Sequence, residues 1–340
     1  MTTDEAIEES LNYWKSETIA FLALQSIKGV GFKCLYNLAE KNISFRDVIK
    51  HESAEYFQKI LRITLPEDVT DSEERWNDYQ QNLWKRGLST ARELKSQNIR
   101  VVFYSQDHFP NQLKNLSTPP LWLFVQGYFD NLHKNSLAIV GSRSSTDDGL
   151  WLTKYIVSAL ANSGLATVSG LADGIDQKAH LESIKFNVPT IAVLGTGIDS
   201  NYPAGSDIVR QTILDHGGTI VSEYLLKQSY SAANFIRRNR IQAGLSSVVI
   251  PVEWKVKSGT AHTVSFAKEF DRLLFMPYLS NHDFNSAEIN SVSNYKKGCT
   301  FLVPNFANVF LGLIESLSSN TLEQDNNVKS DVIKQSSLNL

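Results

Sequence analysis

Short runs of apolar, mostly β-branched residues recur from residue 137 onward, and stretches with helical periodicity separate them. The apolar runs are LAIV (137–140), LATVS (165–169), TIAVLG (190–195), TIVSE (219–223), SVVIP (247–251) and LLFMP (273–277). The clearest helical stretches between them are 150–161, 207–214 and 261–270. Strands that are apolar on both faces and alternate with helices are typical of a parallel sheet covered on both sides. The pattern therefore predicts an α/β fold with a doubly wound, mostly parallel sheet.

Residues 1–100 have a different pattern, which predicts a small helical domain. Apolar residues recur at helical spacing over 11–24 and 34–39, with the turn IKGVG (27–31) between them. A Gly-x-Gly turn between helices is similar to the helix-hairpin-helix (SAM-like) module, whose backbone amides hold a phosphate. A tight turn requires glycine in any case, so both interpretations stay open.

Two further parts follow the helical domain. An α/β domain is predicted over 101–317, and it ends with a short apolar run at 300–303 and a last helix over 306–317. The tail at 318–340 is rich in Ser, Asn, Asp and Lys and poor in aromatic residues, which predicts disorder.

Composition narrows the class of protein without deciding its ligand. The chain has 340 residues and a formal net charge of −3, which excludes a uniformly basic surface but allows a local anion site. Cys34 and Cys299 form no metal or redox motif, so we expect neither a metal nor a cofactor. The acidic first residues, MTTDEAIEES, are unlike a signal peptide, and no apolar run approaches the roughly 20 residues that span a bilayer. A cytoplasmic protein without membrane contact is expected.

The segment FIRRNRIQAGLS (235–246) carries the strongest chemical signal. Its residues Arg237, Arg238, Asn239 and Arg240 follow Phe235, and the segment contains no acid. Guanidinium groups match the oxygens of a phosphate, and an aromatic ring offers a stacking surface for a base. The segment is predicted to begin a helix that carries an anion site.

Polar, glycine-containing loops follow several of the predicted strands. They are GSRSS (141–145), SGLADGID (169–176), GTGID (195–199) with YPAG (202–205), and KSGT (257–260). In a doubly wound sheet the carboxyl ends of the strands meet helix N-termini, and ligands bind there. These loops and the arginine cluster together predict an anionic ligand at that edge.

The candidates for acid–base chemistry are isolated. Asp176 and His180 lie four residues apart on a predicted helix, as a functional pair or as groups that steady the helix start. Glu223 and Glu253 each follow a strand and could act as a general base. None has an evident nucleophile or metal partner, so no catalytic site is predicted.

Six of these motifs occur in one order that resembles the DNA-processing protein A family, also called Smf. They are GSR (141–143), SGLADGIDQKAH (169–180), TIAVLGTGIDSNYP (190–203), SE (222–223), FIRRNRIQAGLS (235–246) and SGT (258–260). The family's upstream segment is recognisable in YSQDHFPNQLKNLSTPPLWLFVQG (104–127). The resemblance is strong over 100–277 and loose over the N-terminal region.

The resemblance implies a non-enzymatic protein that binds single-stranded DNA on an extended Rossmann-like domain. It implies protection of incoming strands in natural transformation, loading of a RecA-type recombinase, and a homodimer. The nucleic-acid-binding residues implied by the resemblance and by the local chemistry are Gly141, Ser142, Arg143, Ser169, Gly170, Phe235, Arg237, Arg238, Asn239, Arg240 and Ser258. Among them Arg143 and Arg238 are expected to hold phosphates. Arg237 and Arg240 are open to a second interpretation, in which one of them pairs with Glu223 or another acid.

The chain also departs from the family pattern, which keeps two other functions in view. Ile236 replaces the usual proline, Tyr278 replaces a glycine, and residues 279–297 look like an insertion. One alternative is an enzyme of the same fold that cleaves nucleoside monophosphates, but Thr263 stands where its catalytic glutamate would be. The other is an interaction protein, for example in phage defence, that has kept the fold.

Overall fold

The computed structural model describes residues 3–305 and 308–319. The chain divides into two compact units. The first comprises 1–105 and 121–124, and the second comprises 106–120 and 125–340. The predicted division at residue 100 lies close to this boundary. The predicted disordered tail, 318–340, lies outside the described residues except for 318 and 319.

The first unit is helical. Its helices are α1 (Thr3–Gln25), α2 (Phe32–Glu40), α3 (Phe45–Lys50), α4 (Ala54–Leu61), α5 (Glu67–Thr70) and α6 (Glu73–Ser96), followed by strand β1 (Ile99–Phe103). The IKGVG segment forms the turn between α1 and α2, where Gly29 has a φ of 95°. Its core is aromatic: the ring centroids of Phe45, Phe103 and Trp122 lie 5.2, 5.6 and 5.0 Å from that of Phe21.

The second unit contains a parallel sheet of seven consecutive strands. Strand β2 (Trp122–Gly127) spans the boundary, and a 3-10 turn (Phe129–His133) precedes the parallel strands. These are β3 (Ser136–Val140), β4 (Ala166–Ser169), β5 (Thr190–Val193), β6 (Thr219–Ser222), β7 (Val248–Pro251), β8 (Leu273–Tyr278) and β9 (Gly298–Leu302). Their spatial order is β6-β5-β4-β3-β7-β8-β9. The predicted apolar runs are therefore confirmed as strands of a doubly wound sheet.

Helices connect these strands on both faces of the sheet. They are α8 (Asp147–Ala159), α9 (Ile175–Lys185), α10 (Ser206–Asp215), α11 (Ala232–Leu245), α12 (Gly259–Glu269) and α13 (Ala287–Ser293), with the short α7 (Asn111–Lys114) upstream. Right-handed crossovers place α8–α10 on one face, and they place α11 and α12 on the other because the strand order reverses. Residues 308–319 are helical, close to the predicted last helix. The segment 279–297, expected as an insertion, contains α13.

The strand order reverses between β3 and β7. These two strands are parallel neighbours, in which Ile139 pairs with Ile250 and Val140 pairs with Pro251. Both strands therefore end at the same level. The chain leaves β3 toward α8 and leaves β7 toward α12, on opposite faces. This divergence opens a crevice at the carboxyl ends of the two strands, where ligands of such sheets bind.

Candidate nucleic-acid interface

Two guanidinium groups lie near the ring of Phe235 at this crevice. The guanidinium carbon of Arg143 is 5.2 Å from the ring centroid of Phe235, and that of Arg238 is 6.0 Å away. Both distances allow cation–π attraction. Arg143 is exposed on the loop after β3, whereas Arg238 is buried on α11. The structure thus brings Arg143 close to two residues of α11. Phe235 and Arg238 follow Arg143 by 92 and 95 positions in the chain.

The first turn of α11 fixes the position of this cluster. Ser231 is the N-cap, and its hydroxyl accepts a hydrogen bond from the Asn234 N–H at 3.1 Å. The side chain of Arg238 extends beneath the strand ends, where it donates to the Val193 carbonyl. A Cβ on Gly170 would lie 2.0 Å from Arg238 Nη1, so the absence of a side chain at residue 170 makes room for the guanidinium.

Burial shifts the pKa values of Arg238 and of the titratable groups near it. Burial lowers the pKa of Arg238, and the Asp176 carboxylate opposes that shift. Burial raises the pKa of Asp176, and Arg238 opposes that shift in turn. Burial, with a smaller contribution from Arg238, lowers the pKa of His180 to about 3, so this imidazole is neutral near pH 7. The arginine keeps its proton because the pKa of a guanidinium starts so high.

The Asp176 and His180 side chains bind separate partners. Asp176 Oδ2 accepts from the Gly170 N–H at 3.1 Å, and His180 Nδ1 lies 2.7 Å from the Thr190 hydroxyl. Asp176 therefore steadies the loop before α9. The arrangement provides no acid–base pair.

Hydrogen bonds to backbone groups of residues 141 and 142 hold the loop after β3 in place. The Ser142 N–H donates to the Glu253 carbonyl at 2.6 Å, and the Ser142 carbonyl accepts from the Ile175 N–H at 3.1 Å. The Thr260 hydroxyl donates to the Gly141 carbonyl at 3.0 Å. These bonds leave the Arg143 side chain facing the crevice.

The KSGT segment forms the opposite wall. Ser258 is the N-cap residue of α12, but its hydroxyl donates to the Lys255 carbonyl at 2.6 Å and does not cap the helix. Asn239 Nδ2 donates to the Gly259 carbonyl at 3.1 Å, which ties α11 to the start of α12. Asn239 is thus a positioning residue between the two helices.

The two walls enclose a cavity of about 970 Å³. Seven of the residues predicted for the interface line it: Gly141, Ser142, Arg143, Phe235, Arg238, Asn239 and Ser258. Lys255, Lys257 and His262 add cationic or titratable side chains to the same wall. A cavity of this size holds a nucleotide-sized ligand.

Arg240 and Arg237 are directed away from this cavity and toward Glu223. Arg240 Nη1 and Nη2 donate to Glu223 Oε1 and Oε2 at 2.8 and 2.6 Å, and Arg240 Nε donates to the Thr118 carbonyl at 2.9 Å. Arg237 Nε lies 3.3 Å from Glu223 Oε1. The second interpretation of Arg240 therefore describes this geometry: its side chain is 2% exposed and its guanidinium is paired with a carboxylate. Arg237 keeps a half-exposed side chain outside the cavity lining.

Ser169 and Gly170 also differ from expectation. The Ser169 hydroxyl donates to the Ile139 carbonyl at 2.7 Å inside the sheet, and the Gly170 N–H donates to Asp176. Both donors are therefore engaged within the protein. Gly170 also shapes the site, because its lack of a side chain makes room for Arg238.

The family model described as DNA recombination-mediator protein A matches residues 100–319. The chain belongs to this family. Protein Smf of Synechocystis is 32% identical over 315 residues, which cover 89% of this chain and 73% of that protein.

Solved structures of the family have the same fold. DNA processing protein A (DprA) from Streptococcus pneumoniae superposes with a TM-score of 0.58 at 25% identity, covering 88% of this chain and 96% of that one. DNA processing protein A from Helicobacter pylori, whose structure is described with a single-stranded DNA binding mode, gives a TM-score of 0.56 at 27% identity. It covers 64% of this chain and 96% of that one.

Two aromatic residues beside the family motif were missed by sequence reasoning. The ring of Tyr202 lies 5.1 Å from that of Phe235, and Tyr230 lies 4.2 Å from Tyr202. Tyr230 is 55% exposed. Tyr202 lies in the YPAG loop that was named as a ligand loop, but its aromatic ring was not used as a signal. The centroids of Tyr230 and Phe235 are 6.3 Å apart, so the three rings form a compact aromatic cluster.

The carboxylates of the cavity wall are engaged in structural contacts. Glu253 Oε2 accepts from the Thr146 N–H and hydroxyl, each at 2.9 Å, and thereby holds the start of α8. Among residues 3–305 and 308–319, no group of three His, Cys, Asp or Glu side chains is arranged to hold a metal ion. In the same part of the chain, every helix is too short or too polar to cross a membrane.

Proposed function

We propose that this protein binds single-stranded DNA at the cavity between the ends of β3 and β7. The observation that carries the proposal is the Phe235 ring with the guanidinium groups of Arg143 and Arg238 within 6.0 Å of its centroid. A flipped-out base can stack on the ring while the guanidinium groups contact adjacent phosphates. Single strands expose both groups, whereas duplex DNA keeps its bases paired and stacked.

The aromatic cluster adds a second stacking surface to the site. Tyr202 lies 5.1 Å from Phe235 and 4.2 Å from Tyr230, and the side chain of Tyr230 is exposed. An exposed aromatic ring offers a face on which a base can stack without selection of its sequence. The strand is proposed to continue from the cavity to the ring of Tyr230.

We infer that the protein acts without catalysis. Glu223 is paired with Arg240, Glu253 holds Thr146, and Thr263 stands at the position of the glutamate used by nucleoside-monophosphate-cleaving relatives of the fold. Asp176, the other carboxylate of the cavity wall, accepts from the Gly170 N–H, so each of these carboxylates is engaged within the protein. Release of free base from a nucleoside monophosphate would contradict the inference.

Family membership supports the wider role. As a member of a recombination-mediator family, the protein is proposed to protect single strands, to load a RecA-type recombinase on them, and to act as a cytoplasmic homodimer. Recombinase filament assembly on strands pre-bound by an accessory single-strand-binding protein, with and without this chain, tests the loading step. Light scattering tests the dimer.

A competition binding assay tests the DNA site itself. A labelled single-stranded oligonucleotide is bound, and unlabelled single-stranded or duplex competitor is added across a salt series. The expected result is displacement by the single strand at far lower concentration, with affinity falling linearly on a log–log salt plot. Equal competition by duplex would overturn the proposal. An absence of binding at low salt, together with capture of a stable protein partner, would favour the interaction-protein alternative.

A further inference from the structure

The turn between β7 and α12 carries two of the cationic side chains of the cavity wall. Lys255, Val256 and Lys257 are exposed, and all three line the cavity. The turn closes on itself, because the N–H and the hydroxyl of Ser258 both donate to the Lys255 carbonyl, at 2.9 and 2.6 Å. Bonds of this kind fix the shape of a turn, but they do not attach it to the rest of the unit.

The turn is attached to α13 through a buried carboxylate. Glu288 Oε1 accepts a hydrogen bond from the Val256 N–H at 3.0 Å, and Glu288 is 5% exposed. A backbone N–H bonds more strongly to a carboxylate than to a neutral acceptor, and burial strengthens such a bond. Glu288 does not line the cavity, so its carboxylate holds the middle of the turn without forming part of the cavity surface.

α13 is in turn fixed to the helix that follows the turn. The Lys268 ammonium on α12 donates to the carbonyl and the hydroxyl of Ser291 at 2.7 and 3.1 Å. Ile289 and Val292 of α13 are buried, and the helix packs on β8 and β9. The segment 279–297 therefore supplies a fixed support for the wall of the cavity.

We propose that Glu288 is a positioning residue of the single-stranded DNA site, through which the segment 279–297 orders the turn of Lys255 and Lys257 before the strand binds. A turn that becomes ordered only on binding lowers the affinity, whereas a turn that is already held does not. The inference rests on the proposed function. It adds that a segment outside the six family motifs sets the affinity for the strand.

A pair of substitutions at Glu288 separates position from charge. Glu288→Leu removes a negative charge, which by itself strengthens the attraction of DNA. We nevertheless expect about tenfold weaker binding of a single-stranded oligonucleotide, because two long side chains and their turn are then ordered on binding. Glu288→Gln removes the same charge but keeps an acceptor oxygen, so it should bind the strand at least as tightly as the parent. Equal losses in the two variants would overturn the inference.

The charge control lies away from the cavity. Glu315→Leu is the same substitution at an exposed position of the helical segment 308–319. It should not weaken binding. A tenfold loss in this variant as well would mean that the effect of Glu288→Leu does not come from the turn, and would overturn the inference.

A double-mutant cycle tests whether Glu288 acts through the two lysines. Glu288→Leu is measured by fluorescence anisotropy at one salt concentration, in the parent and in a background that carries Lys255→Ala and Lys257→Ala. We expect the tenfold loss in the parent and no further loss in the background without the lysines. An equal loss in both backgrounds would overturn the inference and leave the proposed function intact, whereas failure of the parent to bind single strands would overturn both.

Hydrogen exchange of the unmodified protein tests the same inference without any variant. The Val256 amide is expected to exchange more slowly than in an unstructured peptide, and to do so before DNA is added, because its proton is bonded to Glu288. Exchange at the peptide rate in the free protein, with protection gained only on addition of the strand, would show that DNA orders the turn. That result would contradict the role of Glu288.

Discussion

The guanidinium group of Arg240 is bonded to both carboxylate oxygens of Glu223, at 2.8 and 2.6 Å, with each side chain 2% exposed. Glu223 follows β6, and Arg240 lies in the middle of α11. The pair therefore fixes the helix that carries Phe235 and Arg238 against the end of the sheet. Of the three arginines in the motif, Arg240 therefore stabilises the site without lining the cavity.

Removing the acid of this pair is expected to destabilise the fold. Glu223→Ala leaves the buried Arg240 without its partner, and breaking a buried pair in this way costs about 3–5 kcal/mol. Arg237→Ala removes only the half-exposed partner, for which about 0–1 kcal/mol is expected. Urea denaturation of both variants measures the difference. Similar unfolding free energies for the two variants would contradict the structural role of Arg240.

Arg143→Ala is expected to weaken DNA binding through the loss of a phosphate contact. Each contact with a single strand contributes about 0.7 to the slope of log affinity against log salt concentration, so the slope should become shallower by that amount. Arg75→Ala, an exposed arginine of the helical unit, is the control and should leave the slope unchanged. A parental slope in Arg143→Ala would remove this arginine from the interface.

Phe235→Ala is expected to weaken binding by a different route. Base stacking contributes about 1–3 kcal/mol per base, and it carries no charge. Affinity should therefore fall while the salt slope stays close to that of the parent, as fluorescence anisotropy would measure. Phe235→Tyr retains the stacking surface and should bind nearly as the parent does. A change in slope without a change in low-salt affinity would be inconsistent with stacking.

His180 is expected to make the folded state sensitive to acid. Its pKa is about 3 in the folded protein, below the usual 6.5, so the unfolded chain binds one more proton between these values. Stability from this group is fully present above pH 6.5 and is lost as pH falls toward 3, by about 1.4 kcal/mol per pH unit. His180→Gln should flatten the dependence of unfolding free energy on pH in that window. Parallel curves for variant and parent would show that another group dominates.

The strands could be predicted because their signal is local. Each of the runs from 137–140 to 273–277 is apolar on both faces, and a parallel sheet requires that pattern. The crevice followed from topology, since the loops after β3 and β7 must meet where the strand order reverses. Gly141, Arg143, Phe235 and Ser258 were placed at one site on this basis.

Side-chain direction could not be predicted in the same way. The segment RRNR presents three arginines, but helical geometry directs Arg238 toward Val193 and Arg240 toward Glu223. Ser169 ends a strand and looks like a ligand residue, yet its hydroxyl is satisfied within the sheet by Ile139. A hydrophobicity pattern reports which face of a helix or strand is buried, and it does not report which hydrogen-bond partner each polar side chain finds there.

Gly170→Ala changes the shape of the site and keeps all of its charged residues. The added Cβ would lie 2.0 Å from Arg238 Nη1, so the guanidinium must move although every charged residue is retained. Overpacking at a buried position costs about 1–3 kcal/mol, and the displaced arginine can no longer face Phe235 as it does in the parent. We expect a lower unfolding free energy together with weaker binding of single-stranded DNA. Gly312→Ala is the control, because a Cβ there meets no atom within 4 Å and alanine favours the helix. Parental affinity in Gly170→Ala would mean that the position of Arg238 does not matter for the strand.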